Sequence, residues 1–321
     1  VLEFEVERKS KDRLKDVEEV VNYVRAMNHG LGRLDKLPLS LRLIREIHAE
    51  LLRGVRGEER HPGEFRKRQN WIGPSGCTFA DAEFVPPPPH EMNVALDNFE
   101  KFLHDRSSLP TLIHCGLAHA QFETIHPFLD GNGRVGRLLI TLLLCERNIL
   151  QQPLLYLSYY LKAHRAQYYD RLMAIRNDGD WEGWLKFFLR GVFETSRTAT
   201  ETARAILTLR EQHRVAIGER LSGNTNGFRL LDDLFKNPIV SVRTVEKNLG
   251  CAYVTAANLI KDFEQIGILR EFTGKQRNRW YRHEPYLALF DRLASPSPEE
   301  KKEIDDSTGE NKQTDGMTRT L

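Results

Sequence analysis

The chain has 321 residues, with 47 Lys or Arg against 45 Asp or Glu, so its formal net charge is +2. This length predicts about two domains, at roughly 150 residues each. The near-neutral charge gives no chain-wide basic field for nucleic acid. No apolar run reaches the roughly 18 residues of a membrane span, and no signal peptide is predicted. Four cysteines without CxxC spacing exclude a zinc ribbon or a disulfide framework. We therefore expect a globular cytoplasmic protein that does not bind membranes.

Helical periodicity dominates the first 210 residues, which predicts a mainly α fold. Residues 17–27 place their apolar side chains on one face, and Pro38 with Ser40 precedes a second helix over 41–52. Further helices are predicted at 92–104, 109–124, 134–146, 159–176 and 181–210. The Gly- and Pro-rich stretch 61–92 predicts a loop or hairpin that ends in a polyproline segment.

The chain beyond residue 221 predicts a second, smaller domain. The sequence SGNTN at 222–226 is typical of a linker. Predicted elements then follow as three helices and two strands, at 229–235, 242–249, 253–265, 268–272 and 279–282. This order is that of a winged helix-turn-helix. From Ser295 on the chain has hardly any aliphatic residue, so the tail is predicted to be disordered.

The sequence HPFLDGNGRVGR, from His126 to Arg137, is the most informative segment. Its glycines match GxGxxG, but a dinucleotide-binding loop follows a strand, whereas the residues before His126 have a helical pattern. A Walker loop needs Lys and then Ser or Thr after its last glycine, and here Arg137 and Leu138 follow. The sequence therefore favours neither of these two nucleotide-binding loops.

A third interpretation follows from the physics of helix ends. A glycine-rich turn that leads into an apolar helix exposes main-chain N–H groups, which form an anion site. Arg134 and Arg137 are three residues apart and can reach the same anion, which also offsets the unfavourable placing of cations at this helix end. Asp130 offers the hard oxygen that Mg²⁺ prefers. His126 is the nearby side chain able to act as a base near neutral pH.

These residues resemble the signature of the Fic/Doc (Fido) family, HPFx[DE]GNGRxxR, and every specified position is present. The strings GEFRKRQNWIG and FVPPPPHEM resemble the family's flap region, and LSYYLKAHRAQYY resembles its segment downstream of the motif. The resemblance covers roughly residues 20–190 and implies a Fic-type helical bundle with a β-hairpin flap. We expect an N-terminal helical region at 1–60, the Fic core with flap and connecting helix at 61–221, the winged helix-turn-helix at 222–290 and the disordered tail at 291–321.

The resemblance implies a protein adenylyltransferase, which transfers AMP from ATP, with Mg²⁺, to a Ser, Thr or Tyr hydroxyl and releases pyrophosphate. His126 would deprotonate the hydroxyl, and Asp130 would hold Mg²⁺ on the phosphates. Phe128 would anchor the loop in the core, and Tyr160 would lie near the adenine. The other nucleotide-binding residues that it implies are Gly131, Asn132, Gly133, Arg134, Gly136 and Arg137.

The resemblance also bears on specificity and regulation. The flap, residues 73–85, would bind the target protein as an added strand, and self-modification and a homodimer are further options. An intact Gly133 favours transfer of AMP over transfer of phosphate. The family's inhibitory motif, [ST]xxxE[GN], whose glutamate pairs with the arginine at Arg137, is not found, and DSTGEN at 306–311 comes closest. We expect the motif upstream of Val1, which suggests that the chain is a fragment.

Two other functions stay open at this point. The same site could remove AMP from a modified protein. The predicted wing over 270–282 holds five basic residues against Glu271 alone, which favours a DNA-binding regulator. The predicted recognition helix is less favourable for DNA, because Asp262 and Glu264 accompany Lys261 there. The sequence therefore favours a packing or oligomerisation module over DNA binding for this domain.

Overall fold

A computed structural model describes residues 11–291, apart from positions 56, 75, 107–108, 154, 156 and 222–223. The predicted tail and the string at 306–311 lie outside the described residues. The chain divides into two compact units, Val1–Ala199 and Thr200–Leu321. None of the helices in the described ranges combines the length and the apolar character that a membrane span requires. The four domain ranges expected from the sequence stay predictions.

The first unit is built from helices around one hydrophobic core. The helices are α1 (Lys11–Leu34), α2 (Leu41–Leu51), α3 (Pro89–His104), α4 (Thr111–Ile125), α5 (Asn132–Glu146), α6 (Leu157–Ala163) and α7 (Arg165–Asp178), and α8 (Trp181–Arg220) contains the boundary between the units. Ser40 caps α2 as predicted, because its hydroxyl accepts a hydrogen bond from the N–H of Leu43. Helices α4 and α5 pack against each other and are buried along most of their length, so the loop between them is held from both sides.

Two predicted elements of this unit differ in the structure. The helix predicted over 159–176 is interrupted at His164, whose backbone (φ −104°, ψ 40°) leaves the helical region and separates α6 from α7. The predicted β-hairpin flap contains one isolated antiparallel bridge, Ile72 with Phe84, and a short 3₁₀ turn at Phe79–Asp81. A stretch rich in Gly and Pro can bring two segments side by side without a continuous ladder of main-chain hydrogen bonds. Proline lacks the N–H that such a ladder needs.

The second unit combines short helices with a small sheet. Its elements are α9 (Thr225–Leu234), β1 (Ile239–Val240), α10 (Val242–Leu249), α11 (Tyr253–Gln265), β2 (Arg270–Glu271), β3 (Tyr281–Arg282) and α12 (Glu284–Asp291). The strands form an antiparallel sheet in the order β1-β3-β2. The linker prediction is wrong at its end, because Asn224 caps a helix that begins at Thr225. The sequence patterns also missed β1, which is two residues long, and α12.

Candidate functional site

The chain turns sharply where α4 ends. His126 follows Ile125 with φ 48° and ψ 60°, in the left-handed region that is uncommon for residues other than Gly and in which Asn, Asp and His are enriched. Its N–H still donates to the carbonyl of Phe122, at 3.0 Å. The turn directs the following residues away from the axis of α4 and into the loop that precedes α5. His126 is thus placed at the entrance of the predicted anion site.

Arg66 holds this corner from the neighbouring loop. Its guanidinium donates to the carbonyl of His126 at 3.0 Å and also to the carbonyls of Ile125 and Pro87. Its own N–H donates to the carbonyl of Pro127 at 2.9 Å. Arg66 is buried, and burial lowers the pKa of its guanidinium. The sequence analysis did not single out Arg66, because the carbonyls of Ile125 and His126 that it binds lie about sixty residues away along the chain.

Phe128 and Asn132 give the loop its shape. The Phe128 ring is fully buried and stacks on His48, with ring centroids 3.7 Å apart. The Asn132 amide bonds the main chain of Phe128 in both directions, accepting from its N–H and donating to its carbonyl at 2.8 Å each. Asn70 donates to the same carbonyl at 3.0 Å. The side chain of Asn132 therefore supports the loop. The main-chain N–H of Asn132 is the group of this residue that can face an anion.

His48, on α2, fixes the far side of the loop. Its Nδ1 accepts a hydrogen bond from the N–H of Gly63 at 2.8 Å, so Nε2 carries the proton and donates to the carbonyl of Asp130 at 3.0 Å. Burial lowers the pKa of His48 to about 4. The ring is therefore neutral near pH 7, with both nitrogens used to hold main chain. Sequence analysis placed this histidine on a helix but gave it no role.

The start of α5 presents main-chain donors. Gly131 is its N-cap, with φ 80°, and no side chain caps the helix. The first intrahelical bond runs from the N–H of Val135 to the carbonyl of Gly131, at 3.0 Å. The N–H groups of residues 132–134 precede it and so have no acceptor within the helix. Together with the helix dipole they suit an anion.

The two arginines of the motif have different surroundings. Arg134 donates to Asp130 Oδ1 and to Glu19 Oε2, at 3.3 Å each. Within the described ranges Arg137 forms no ion pair, and its Nη1 would lie 3.2 Å from a Cβ added to Gly133. The glycine thus leaves room for this guanidinium. Arg137 is the motif cation that no carboxylate engages directly.

His126 is suited to accept a proton. Burial lowers its pKa to about 4, and the cations Arg176 and Arg66 act in the same direction, so the ring is neutral near pH 7. Its Nδ1 is buried and has no hydrogen-bond partner among the residues that the structure describes. A neutral imidazole keeps one unprotonated ring nitrogen, which can take a proton from a hydroxyl that approaches a bound anion.

Asp130 is the predicted metal ligand. Its Oδ1 accepts from the N–H of Gly131 at 2.5 Å and from Arg134, which leaves Oδ2. No group of three His, Cys, Asp or Glu side chains in the described part of the chain could hold a metal ion. Mg²⁺ commonly binds through one or two carboxylates together with substrate phosphates. The donor set therefore fits a magnesium ion that arrives with a polyphosphate.

Tyr160 and the flap are the two remaining parts of the predicted site. Tyr160 is buried, packs on His164 and Phe187, and lies over Gly191, where a side chain would overlap its ring. The structure thus gives it a packing role, and its predicted place near adenine stays a prediction. In the flap, Ile72 and Phe84 exchange main-chain hydrogen bonds of 2.9 and 3.1 Å.

Comparison with known proteins agrees with this geometry. Residues 38–144 match the model of the Fic/DOC family. The protein adenylyltransferase Fic of Drosophila virilis is 33% identical over 156 residues, which are 48% of this chain and 28% of that protein. The protein of the same name from Aedes aegypti is 33% identical over 153 residues, or 46% and 27% of the two chains. The match thus spans less than a third of the length of these relatives.

A solved structure shares the fold. The crystal structure of a Fic family protein from Desulfovibrio desulfuricans G20 superposes with a TM-score of 0.52 at 19% identity, and the match covers 84% of this chain and 75% of the other. The signature from His126 to Arg137 lies inside the segment that the family model matches. The chain therefore contains, over residues 38–144, a segment similar to the Fic/DOC family.

Proposed function

We propose that this protein is an adenylyltransferase that transfers AMP from ATP to a Ser, Thr or Tyr hydroxyl of a target protein. The observation that carries the proposal is the neutral ring of His126 in the loop that leads into the uncapped start of α5. The names of the relatives that match the same segment support it.

Residues of this chain can perform each part of the proposed reaction. The N–H groups of residues 132–134, with Arg134 and Arg137, bind phosphate oxygens. His126 takes the proton of the target hydroxyl as its oxygen forms a bond to the α-phosphorus. The bond between that phosphorus and the bridging oxygen breaks, and pyrophosphate leaves with the electron pair. The proton then passes from His126 to solvent. Asp130 would hold Mg²⁺, which neutralises phosphate charge when bound.

The flap is the proposed docking surface for the target. It exposes the apolar side chains of Phe79 and Val85, and Trp71 is exposed two residues before it. Trp71 and Phe79 meet edge to face, with ring centroids 6.1 Å apart. Because the flap has one bridge and little further pairing, its main chain can add an extended segment of the target as a strand.

Labelled ATP tests the proposed reaction. We expect ³²P from α-labelled ATP, but not from γ-labelled ATP, to become covalently attached to this protein or to lysate proteins when Mg²⁺ is present. An excess of EDTA should abolish the labelling, because the phosphates would lose their counter-charge. Mass spectrometry should find AMP on a hydroxyl side chain. Transfer of the γ-label instead would identify a kinase and contradict the proposal.

DNA binding by the second unit is a second candidate function, and the distribution of its charges favours it. The exposed side chains of α11 include Thr255, Asn258 and Lys261. In the wing, the carboxylate of Glu271 is occupied by the N–H groups of Thr273 and Gly274. Four cations of the wing are exposed: Arg270 on β2, and Lys275, Arg277 and Arg279 between β2 and β3. Such a loop can contact phosphates, while the helix can contact bases.

Fluorescence anisotropy with a labelled duplex tests this second function. We expect binding that weakens as salt rises, and the triple variant K275Q/R277Q/R279Q should lower the slope of log K against log salt by about 3, since each lost phosphate contact removes about one unit. The matched variant K67Q/K101Q/K186Q removes three exposed charges elsewhere and should keep the slope. Equal slopes for both variants would remove the wing from DNA binding.

A further inference from the structure

Glu123 is a buried acid that the proposed reaction does not use. It lies on α4, three residues before His126, and only 6% of its surface is exposed. Its Oε1 has no hydrogen-bond partner among the described residues. A buried carboxyl oxygen without a partner costs free energy, which selection rarely tolerates without a function.

The carboxyl of Glu123 lies against the first turn of α5. A Cβ added to Gly136 would overlap its Oε1, and one added to Gly133 would lie 3.9 Å from it. The space for this oxygen therefore exists because Gly136 has no side chain. Glu123 is thus directed at the turn whose N–H groups and arginines form the proposed phosphate site.

Charged and titratable groups face Glu123 from each helix packed around it. Arg137 on α5 and Arg176 on α7 act on it electrostatically, and Arg176 also donates to its main-chain carbonyl at 3.1 Å. His119 on α4 and Tyr168 on α7 bond each other at 2.9 Å, while His119 Nδ1 donates to the carbonyl of Gly136 at 3.0 Å. His119 and Tyr168 are thus engaged elsewhere. Arg137 and Arg176 are the cations left to balance Glu123.

The carboxyl of Glu123 changes its charge near neutral pH. Burial raises its pKa to about 7, against the opposing effect of Arg137 and Arg176. Burial lowers the pKa of His119 and of His126 to about 4, and it raises that of Tyr168. Those three groups therefore stay neutral between about pH 6 and pH 8. Glu123 is the one of the four that changes charge in this range.

We propose that Glu123 is a positioning residue which acts through Arg137 and sets how much positive charge the site offers to the phosphates of a bound nucleotide. This inference rests on the proposed function. When ionised, the carboxylate attracts the Arg137 guanidinium and repels phosphate; when protonated, it leaves the guanidinium to the phosphate. Binding of phosphate must then favour the protonated carboxyl, because phosphate binding and protonation of Glu123 are linked equilibria. Nucleotide binding is thus coupled to uptake of a fraction of a proton by Glu123 near its pKa.

The test compares ATP affinity in the wild type and in Glu123→Gln by calorimetry without Mg²⁺. From about pH 6 to about pH 8.5 the wild type should lose about tenfold in affinity relative to the variant, if phosphate raises the pKa of Glu123 by one unit. The ionisation of ATP itself cancels in this comparison. Glu46→Gln is the matched control, since Glu46 pairs with Arg33 away from the motif, and it should follow the wild type.

A second measurement needs no variant. Calorimetry of the wild type in two buffers with different ionisation enthalpies should report net proton uptake near pH 7.5 beyond that of ATP alone. Identical pH profiles for wild type and Glu123→Gln, or uniformly weaker binding by the variant, would overturn the inference and leave the labelling reaction standing. Failure of both proteins to bind ATP at any pH would overturn the proposed function and the inference together.

Discussion

Replacing His126 with Ala should lower the rate of AMP transfer by about 10²–10⁴-fold and leave ATP affinity within about twofold. The ring is neutral because burial lowers its pKa to about 4, and its Nδ1 has no partner within the described residues. It can therefore act on the incoming hydroxyl without serving as a phosphate ligand. The loss should therefore appear in the rate of AMP transfer and not in ATP affinity. Single-turnover transfer from α-labelled ATP and calorimetric ATP binding measure the two quantities separately.

Two further variants exclude indirect effects. His126 has φ 48°, which asparagine tolerates better than alanine, so His126→Asn keeps the corner while removing the base. It should be as inactive as His126→Ala. His90→Ala removes an exposed histidine of α3 and should transfer AMP at the wild-type rate. If His126→Asn kept wild-type activity, His126 would not be the base.

The helices were the part of the fold most accessible from sequence. The bounds of α10 and α11 agree with the predictions to the residue, since each helix has a clear apolar face and α10 also has a serine cap. The break at His164 could not be predicted in this way, because apolar residues recur at helical spacing through α6 and α7 alike. Periodicity reports which face is buried, and a change of axis direction leaves it unaltered.

The candidate site also combines residues that sequence reveals with residues that it does not. The signature 126–137 is local, and it predicted the uncapped helix start and the placing of His126 and Asp130 beside it. The residues that hold the loop in place are remote in sequence: His48 is 82 residues from Asp130, and Arg66 is 60 from His126. Nothing in the sequence around His48 or Arg66 marks the carbonyls that they bind. Such contacts emerge only when the helices pack.

Arg134 and Arg137 illustrate what packing adds to a motif. In the sequence they are equivalent, three residues apart on one helix. In the structure Arg134 is shared between Asp130 and Glu19, while Arg137 has no ion pair among the described residues. Glu19 lies on α1, more than a hundred residues earlier in the chain. An anion that recruits Arg134 must compete with two carboxylates that bond it directly, whereas Arg137 has no such bond and is affected electrostatically by Glu123.

Arg137→Ala should therefore weaken ATP binding more than Arg134→Ala does. A charge-assisted hydrogen bond contributes about 1.5–3 kcal/mol, which corresponds to a loss of about 10–150-fold in affinity for Arg137→Ala. For Arg134→Ala the loss should stay below about tenfold, because removing the guanidinium also removes its competing bonds to Asp130 and Glu19. Calorimetric titration with ATP, at one pH and one salt concentration, gives both values. Thermal melts should show both variants folded. Equal losses, or a larger loss for Arg134→Ala, would mean that the carboxylates around Arg134 do not compete with the phosphates and that Arg137 has no special place in binding them.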